Sequence, residues 1–82
     1  MKVIEAYVYE EVNHGKYEID RKRDGYCIKC EDLRYKGRYL YVSKVNNDNT
    51  CELSIDYTYA RVFSKSKAEE LVKKLKWCEK GY

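Results

Sequence analysis

Apolar and polar side chains alternate along several short stretches of this chain, and near residue 64 the period lengthens from two to between three and four. Residues 3–12 put Ile4, Ala6, Val8 and Val12 on one side and Val3, Glu5, Tyr7, Tyr9 and Glu11 on the other, which predicts a strand. Asn13-His14-Gly15-Lys16 reads as a hairpin turn, with Gly15 placed for positive φ, and residues 16–22 as the returning strand. Asp24-Gly25 is the next turn signal, followed by a strand in which Tyr26, Ile28 and Cys30 alternate with Cys27 and Lys29. Residues 31–37 read as a loop. In residues 38–45, Leu40 and Val42 oppose Tyr39, Tyr41 and Ser43; Asn46-Asn47-Asp48-Asn49 then turns the chain into residues 50–55, with Cys51, Leu53 and Ile55 on one face. A bend at residues 56–59 leads to a final strand at 60–63.

From Lys65 to Trp77 the pattern is helical. Ala68, Leu71, Val72, Leu75 and Cys78 share one face, with Lys67, Glu70, Lys73, Lys74 and Lys76 on the others. Ser64 is the expected N-cap with Phe63 stapled onto Ala68, and Ser66 with Glu69 offers a second start. The expected architecture is one α+β domain spanning residues 1–82: a small antiparallel β-sheet of about five strands with the C-terminal amphipathic helix packed on one face.

Charge adds an uneven distribution to this picture. Seventeen Lys and Arg against fourteen Asp and Glu give a net +3, but residues 1–20 sum to −3, 21–30 to +3 and 61–82 to +4. An acidic start followed by basic patches suits a protein or nucleic-acid partner better than a bare phosphate backbone, for which a larger excess is usual. No stretch has the length and apolarity of a membrane span and the N-terminus lacks a signal-like core, so the expectation is a soluble cytoplasmic protein with reduced cysteines and no membrane partner.

Candidate chemistry is sparse. Cys27-Ile28-Lys29-Cys30 has the spacing of half a zinc site that Cys51 and Cys78 would have to complete. However, no glycine follows Cys30, and an extended strand turns Cys27 and Cys30 to opposite faces, so neither metal nor disulfide is expected. His14, the one histidine, falls in a predicted turn. No phosphate loop, Ser/His/Asp order or carboxylate pair stands out, which predicts no enzyme, no catalytic residue and no cofactor. Arg21-Lys22-Arg23 and the lysines of the helix read first as solvated faces and second as an electrostatic footprint for phosphate or an acidic protein surface.

The ten tyrosines are the distinctive feature. Tyr7 with Tyr9, Tyr39 with Tyr41, and Tyr57 with Tyr59 are i, i+2 pairs that project from one side of a strand. One helix covers one sheet face, so the face opposite is expected to carry Tyr7, Tyr9, Tyr39 and Tyr41, with Arg38 as a flanking charged anchor, and to dock a protein. The alternative is direct nucleic-acid binding, with tyrosines stacking on bases and Arg21, Arg23, Arg34 and Arg38 on phosphates.

The second half of the chain also carries a resemblance. Lys36-Gly37-Arg38-Tyr39-Leu40, then Ala60-Arg61-Val62-Phe63-Ser64, then Ala68-Glu69-Glu70-Leu71 resemble a pattern of small bacteriophage proteins. In these a G-K/R-Y-L strand precedes an A-R-x-F-S strand end and a helix with alanine four residues after the serine. The lysine-, asparagine- and tyrosine-rich composition is similar to that of proteins from AT-rich phage and mobile-element genomes. Many such proteins, the anti-CRISPR proteins among them, bind and disable host machinery. The resemblance implies a host protein or nucleoprotein complex of defence or regulation as partner, met in the host cytoplasm. Its motifs are packing and capping residues, and it assigns no functional residue.

Overall fold

A computed structural model describes residues 14–75. Its strands are β1 (Glu18–Lys22), β2 (Gly25–Glu31), β3 (Tyr39–Val45) and β4 (Cys51–Ser54), antiparallel neighbours in the order β1-β2-β3-β4. The helix α1 (Lys65–Lys74) packs on one face, so the class is α+β. The expected first strand at 3–12, with Tyr7 and Tyr9, lies outside the described residues, as do Lys76, Trp77 and Cys78 of the expected helix.

Alternation decides which side chains enter the core. Ile28 and Cys30 from β2, Leu40 and Val42 from β3, and Cys51 and Leu53 from β4 meet Phe63, Ala68, Leu71 and Leu75. α1 begins where its capping chemistry is best: Ser64 is extended at φ −67° and ψ 160°, and its hydroxyl accepts the Lys67 N–H at 3.2 Å. Ser66 therefore does not open the helix. Leu71 is 5% exposed, whereas Lys73 on the same helix faces solvent. Leu71→Ala is expected to cost about 2–3 kcal/mol, a large share of what so small a core supplies, and Lys73→Ala close to nothing. Urea denaturation of the two variants checks this, and equal midpoints would mean that the buried face is misassigned.

Several expected boundaries are corrected. Residues 60–63 form no strand; one hydrogen-bonded pair joins Tyr26 and Phe63 (Phe63 N–H to Tyr26 O 2.7 Å, Tyr26 N–H to Phe63 O 3.0 Å), and Arg61 N–H donates to Val42 O at 2.9 Å. β2 pairs with β3 only from Lys29 to Glu31, so residues 61–63 fill the gap where the two strands part. This close approach explains Gly25. A Cβ there would lie 2.9 Å from Phe63 O and closer still to Val62 Cγ1, and the turn itself is made by Arg23, at φ 55°. Residues 13–16 were expected to turn, yet His14 is buried and bridges to Asp32, and Gly15 N–H donates to Glu31 O at 2.9 Å without positive φ. β3 carries a bulge between Val42 and Lys44, which sends Val45 rather than Lys44 toward the core side. The turn at 46–49 forms as expected, with Asn49 at φ 67°.

Candidate functional site

The same alternation that buries Leu40 and Val42 turns Tyr39 and Tyr41 to the sheet face away from α1. They are joined there by Glu18, Asp20 and Lys22 of β1 and by Cys27 and Lys29 of β2. Both rings are half-buried and held by neighbours. Lys29 Nζ lies 4.5 Å over the Tyr39 ring and 3.1 Å from Asp20 Oδ2. That hydrogen bond pushes the Lys29 ammonium pKa up and the Asp20 carboxyl down. The Tyr41 ring meets Tyr57 edge-on, centroids 5.3 Å apart at 81°, and burial raises its hydroxyl pKa.

Tyr57 and Tyr59 do not project from a strand. They belong to a 3₁₀ turn, Tyr57–Tyr59, capped by Asp56, whose carboxylate accepts from Thr58 N–H at 2.9 Å and Thr58 Oγ1 at 2.7 Å. Lys22 fastens this turn to the sheet. Its Nζ donates to Tyr57 O (2.9 Å), Thr58 O (3.2 Å) and Ala60 O (2.5 Å), and it is only 4% exposed. Lys22 is thus no part of an exposed basic patch with Arg21 and Arg23. Cys27, fully buried on this side, feels the charges of Asp20, Lys22 and Lys29, and burial raises its thiol pKa.

Arg38 does not join Tyr39 and Tyr41. One position earlier in the chain, it turns the other way and binds the buried carboxylate of Asp32 through Nε at 2.9 Å. Arg34 takes the same carboxylate through Nε (3.0 Å), Nη2 (3.1 Å) and its backbone N–H (3.0 Å). Tyr35 sits beside both, 4.4 Å below Arg38 Cζ and 5.7 Å from Arg34 Cζ.

The four arginines of the alternative reading are therefore not gathered. Arg34 and Arg38 meet at the β2–β3 loop. Arg23 lies in the turn at the other end of β2, about 20 Å away for seven residues at roughly 3.3 Å each. Arg21 projects to the α1 side, stacked on Tyr26 at 5.2 Å. Cys27 and Cys30 point to opposite faces, and Cys51 lies in the core with the Tyr17 hydroxyl 3.3 Å from its sulfur. Among the described residues no group of three or more His, Cys, Asp or Glu side chains is placed to hold a metal ion. His14 donates Nδ1–H to Gly15 O at 2.8 Å and packs at 5.1 Å from Tyr17.

Sequence reasoning missed Asp32 and Lys22. Asp32 was legible as an Asx turn, an aspartate accepting the N–H two residues on. Lys22 was not, since its partners lie 35 to 38 residues downstream. No helix among the described residues is long and apolar enough to cross a membrane. Comparison with models of protein families, with curated proteins and with solved structures found no match for the chain.

Proposed function

We propose that the protein is a non-catalytic interaction module that docks a protein partner on the sheet face opposite α1, centred on Tyr39 and Tyr41 with Tyr57 at their side. The observation that carries this is the pair of half-exposed rings held at fixed angles by Lys29 and Tyr57 on a face that α1 leaves uncovered. Pre-positioned tyrosines lose little entropy on binding and offer both apolar area and a hydroxyl. Charge favours a protein there over a phosphate chain: Glu18, Asp20, Glu31 and Glu52 on this face outnumber Lys22, Lys29 and Lys44. The matching partner surface is apolar at its centre with Lys or Arg at its rim. The resemblance to small bacteriophage proteins points to a host defence or regulatory complex, inhibited by occupancy. Nucleic-acid binding by the whole arginine set is the weaker reading, because Arg21 and Arg23 stand apart from Arg34 and Arg38.

Tyr39→Ala is expected to weaken target binding by about 2 kcal/mol or more with little change in melting temperature, while Lys73→Ala leaves both unchanged. Capture from nuclease-treated bacterial lysate with wild type and both variants measures this. Capture that Tyr39→Ala leaves intact, or that nuclease abolishes, would place the interface elsewhere.

A further inference from the structure

We propose that the β2–β3 loop is a second, independent binding site that takes a phosphate group next to a flat ring, the chemistry of a nucleotide unit. One bidentate guanidinium neutralises a buried carboxylate, and Arg34 already supplies it to Asp32. Arg38 is in excess. Within residues 32–38, Lys36 and Arg38 are the positive charges that remain once Arg34 is paired with Asp32. Glu31, the nearest other carboxylate in sequence, belongs to the opposite sheet face.

The geometry of the surplus is specific. Arg38 spends its Nε edge on Asp32, and its Nη1 and Nη2 have no hydrogen-bond partner among the described residues. Its side chain is 36% exposed, and its guanidinium is held in place at Nε by the buried carboxylate. Such a planar fork matches the oxygens of a phosphate. Tyr35, 53% exposed and 4.4 Å from Arg38 Cζ, places a stacking surface next to that fork.

The loop is rigid enough to hold this arrangement. Asp32 N–H donates to Arg38 O (2.9 Å), Tyr35 N–H to Asp32 O (3.1 Å) and Arg38 N–H to Tyr35 O (3.2 Å), and Gly37 closes the turn at φ 82°. One fork and one ring suit a single nucleotide unit, either free or at a strand end, rather than a tract.

Calorimetric titration of the full chain at low salt, with adenosine monophosphate, adenosine, inorganic phosphate and a single-stranded oligoadenylate, tests the assignment. The monophosphate should bind at least about fivefold tighter than adenosine or phosphate alone, as base stacking and phosphate contact add. Arg38→Gln should weaken it about tenfold or more, and Tyr35→Ala should reduce it to the level of inorganic phosphate. Tyr35→Ala removes an exposed ring and keeps the fold measurable by its melting temperature even if Arg38→Gln is destabilised. Oligoadenylate binding like the monophosphate assigns a free nucleotide or strand end; tighter oligoadenylate binding, lost in Tyr35→Ala, assigns an internal strand nucleotide. The proposal is overturned if neither the monophosphate nor the oligoadenylate binds, if the monophosphate binds no tighter than adenosine or inorganic phosphate, or if folded Tyr35→Ala and Arg38→Gln bind the monophosphate as wild type does. Either result leaves the protein-docking face untouched, since the two sites share no residue.

Discussion

Asp32→Ala is expected to cost about 3–5 kcal/mol, comparable to the whole stability of a domain this size, and to leave much of the protein unfolded at 25 °C. The carboxylate is fully buried and accepts four hydrogen bonds from Arg34 and Arg38. Removing it leaves two guanidinium groups facing each other with no anion between them. Asp32→Asn keeps the shape and one acceptor oxygen and should cost less, about 2–3 kcal/mol. Acid separates charge from packing. Burial by itself pushes the Asp32 carboxyl pKa up, but the hydrogen bonds and charges of Arg34 and Arg38 together outweigh it, and the group ends below its ordinary value of 3.8. A folded-state pKa below the unfolded one means that the stabilisation is complete above about pH 4 and disappears as pH falls through the folded value. The advantage of wild type over Asp32→Asn in urea midpoints should therefore be constant from neutral pH down to about pH 4.5 and shrink below pH 4. A difference that stays constant into strong acid would show that the Asp32 charge does not hold the loop.

The parts of the fold that were legible in sequence are those set by local pattern. Ala68, Leu71 and Leu75 announce their shared face by spacing, and Ser64 announces the helix start by its chemistry. Leu40 against Tyr39 and Tyr41 gives the two faces of β3 directly. The bulge near Ser43 was visible only indirectly, in the step of three from Val42 to Val45 where the strand period demands two. Non-local partners were hidden. Arg21-Lys22-Arg23 looks like one basic patch, yet the pleat sends Lys22 to the face opposite Arg21, where the carbonyls of the 3₁₀ turn await it. Residues 60–63 have strand composition, but β2 gives them only Tyr26 to pair with because its other half is committed to β3. Arg38 shows the same limit in the candidate site. Its neighbour in sequence is Tyr39, but its neighbour in charge is Asp32, and the buried carboxylate wins because charge pairing is worth most away from water.

Lys22→Met is expected to cost about 3–4 kcal/mol and to loosen the 3₁₀ turn before the rest of the fold. The methionine keeps the stem packed but withdraws all three N–H donors. Tyr57 O still receives the Ala60 N–H, whereas Thr58 O and Ala60 O lose the donor that Lys22 supplied. Each carbonyl left short of its donor in a buried setting costs about 1–3 kcal/mol, and bonds to an ammonium lie at the strong end. The loss should be local in its first effect. The contact of Lys22 Nζ with the Tyr57 ring, 4.9 Å to its centroid, goes with the hydrogen bonds, and Tyr57 is the ring that steadies Tyr41. In a Cys78→Ser background, Cys27, fully buried on that same side, is a natural reporter, since Cys30 and Cys51 lie in the core against α1. If opening of the turn becomes about 3 kcal/mol easier, Cys27 should react with a thiol reagent on the order of a hundredfold faster under native conditions. Cys27→Ala in the Lys22→Met background should remove the fast phase. An unchanged urea midpoint together with unchanged thiol labelling would mean that water replaces the ammonium at no cost. With the turn loosened, the rings that frame the proposed docking face lose their fixed angles, so target binding should weaken in Lys22→Met although Lys22 is too deeply buried to touch a partner.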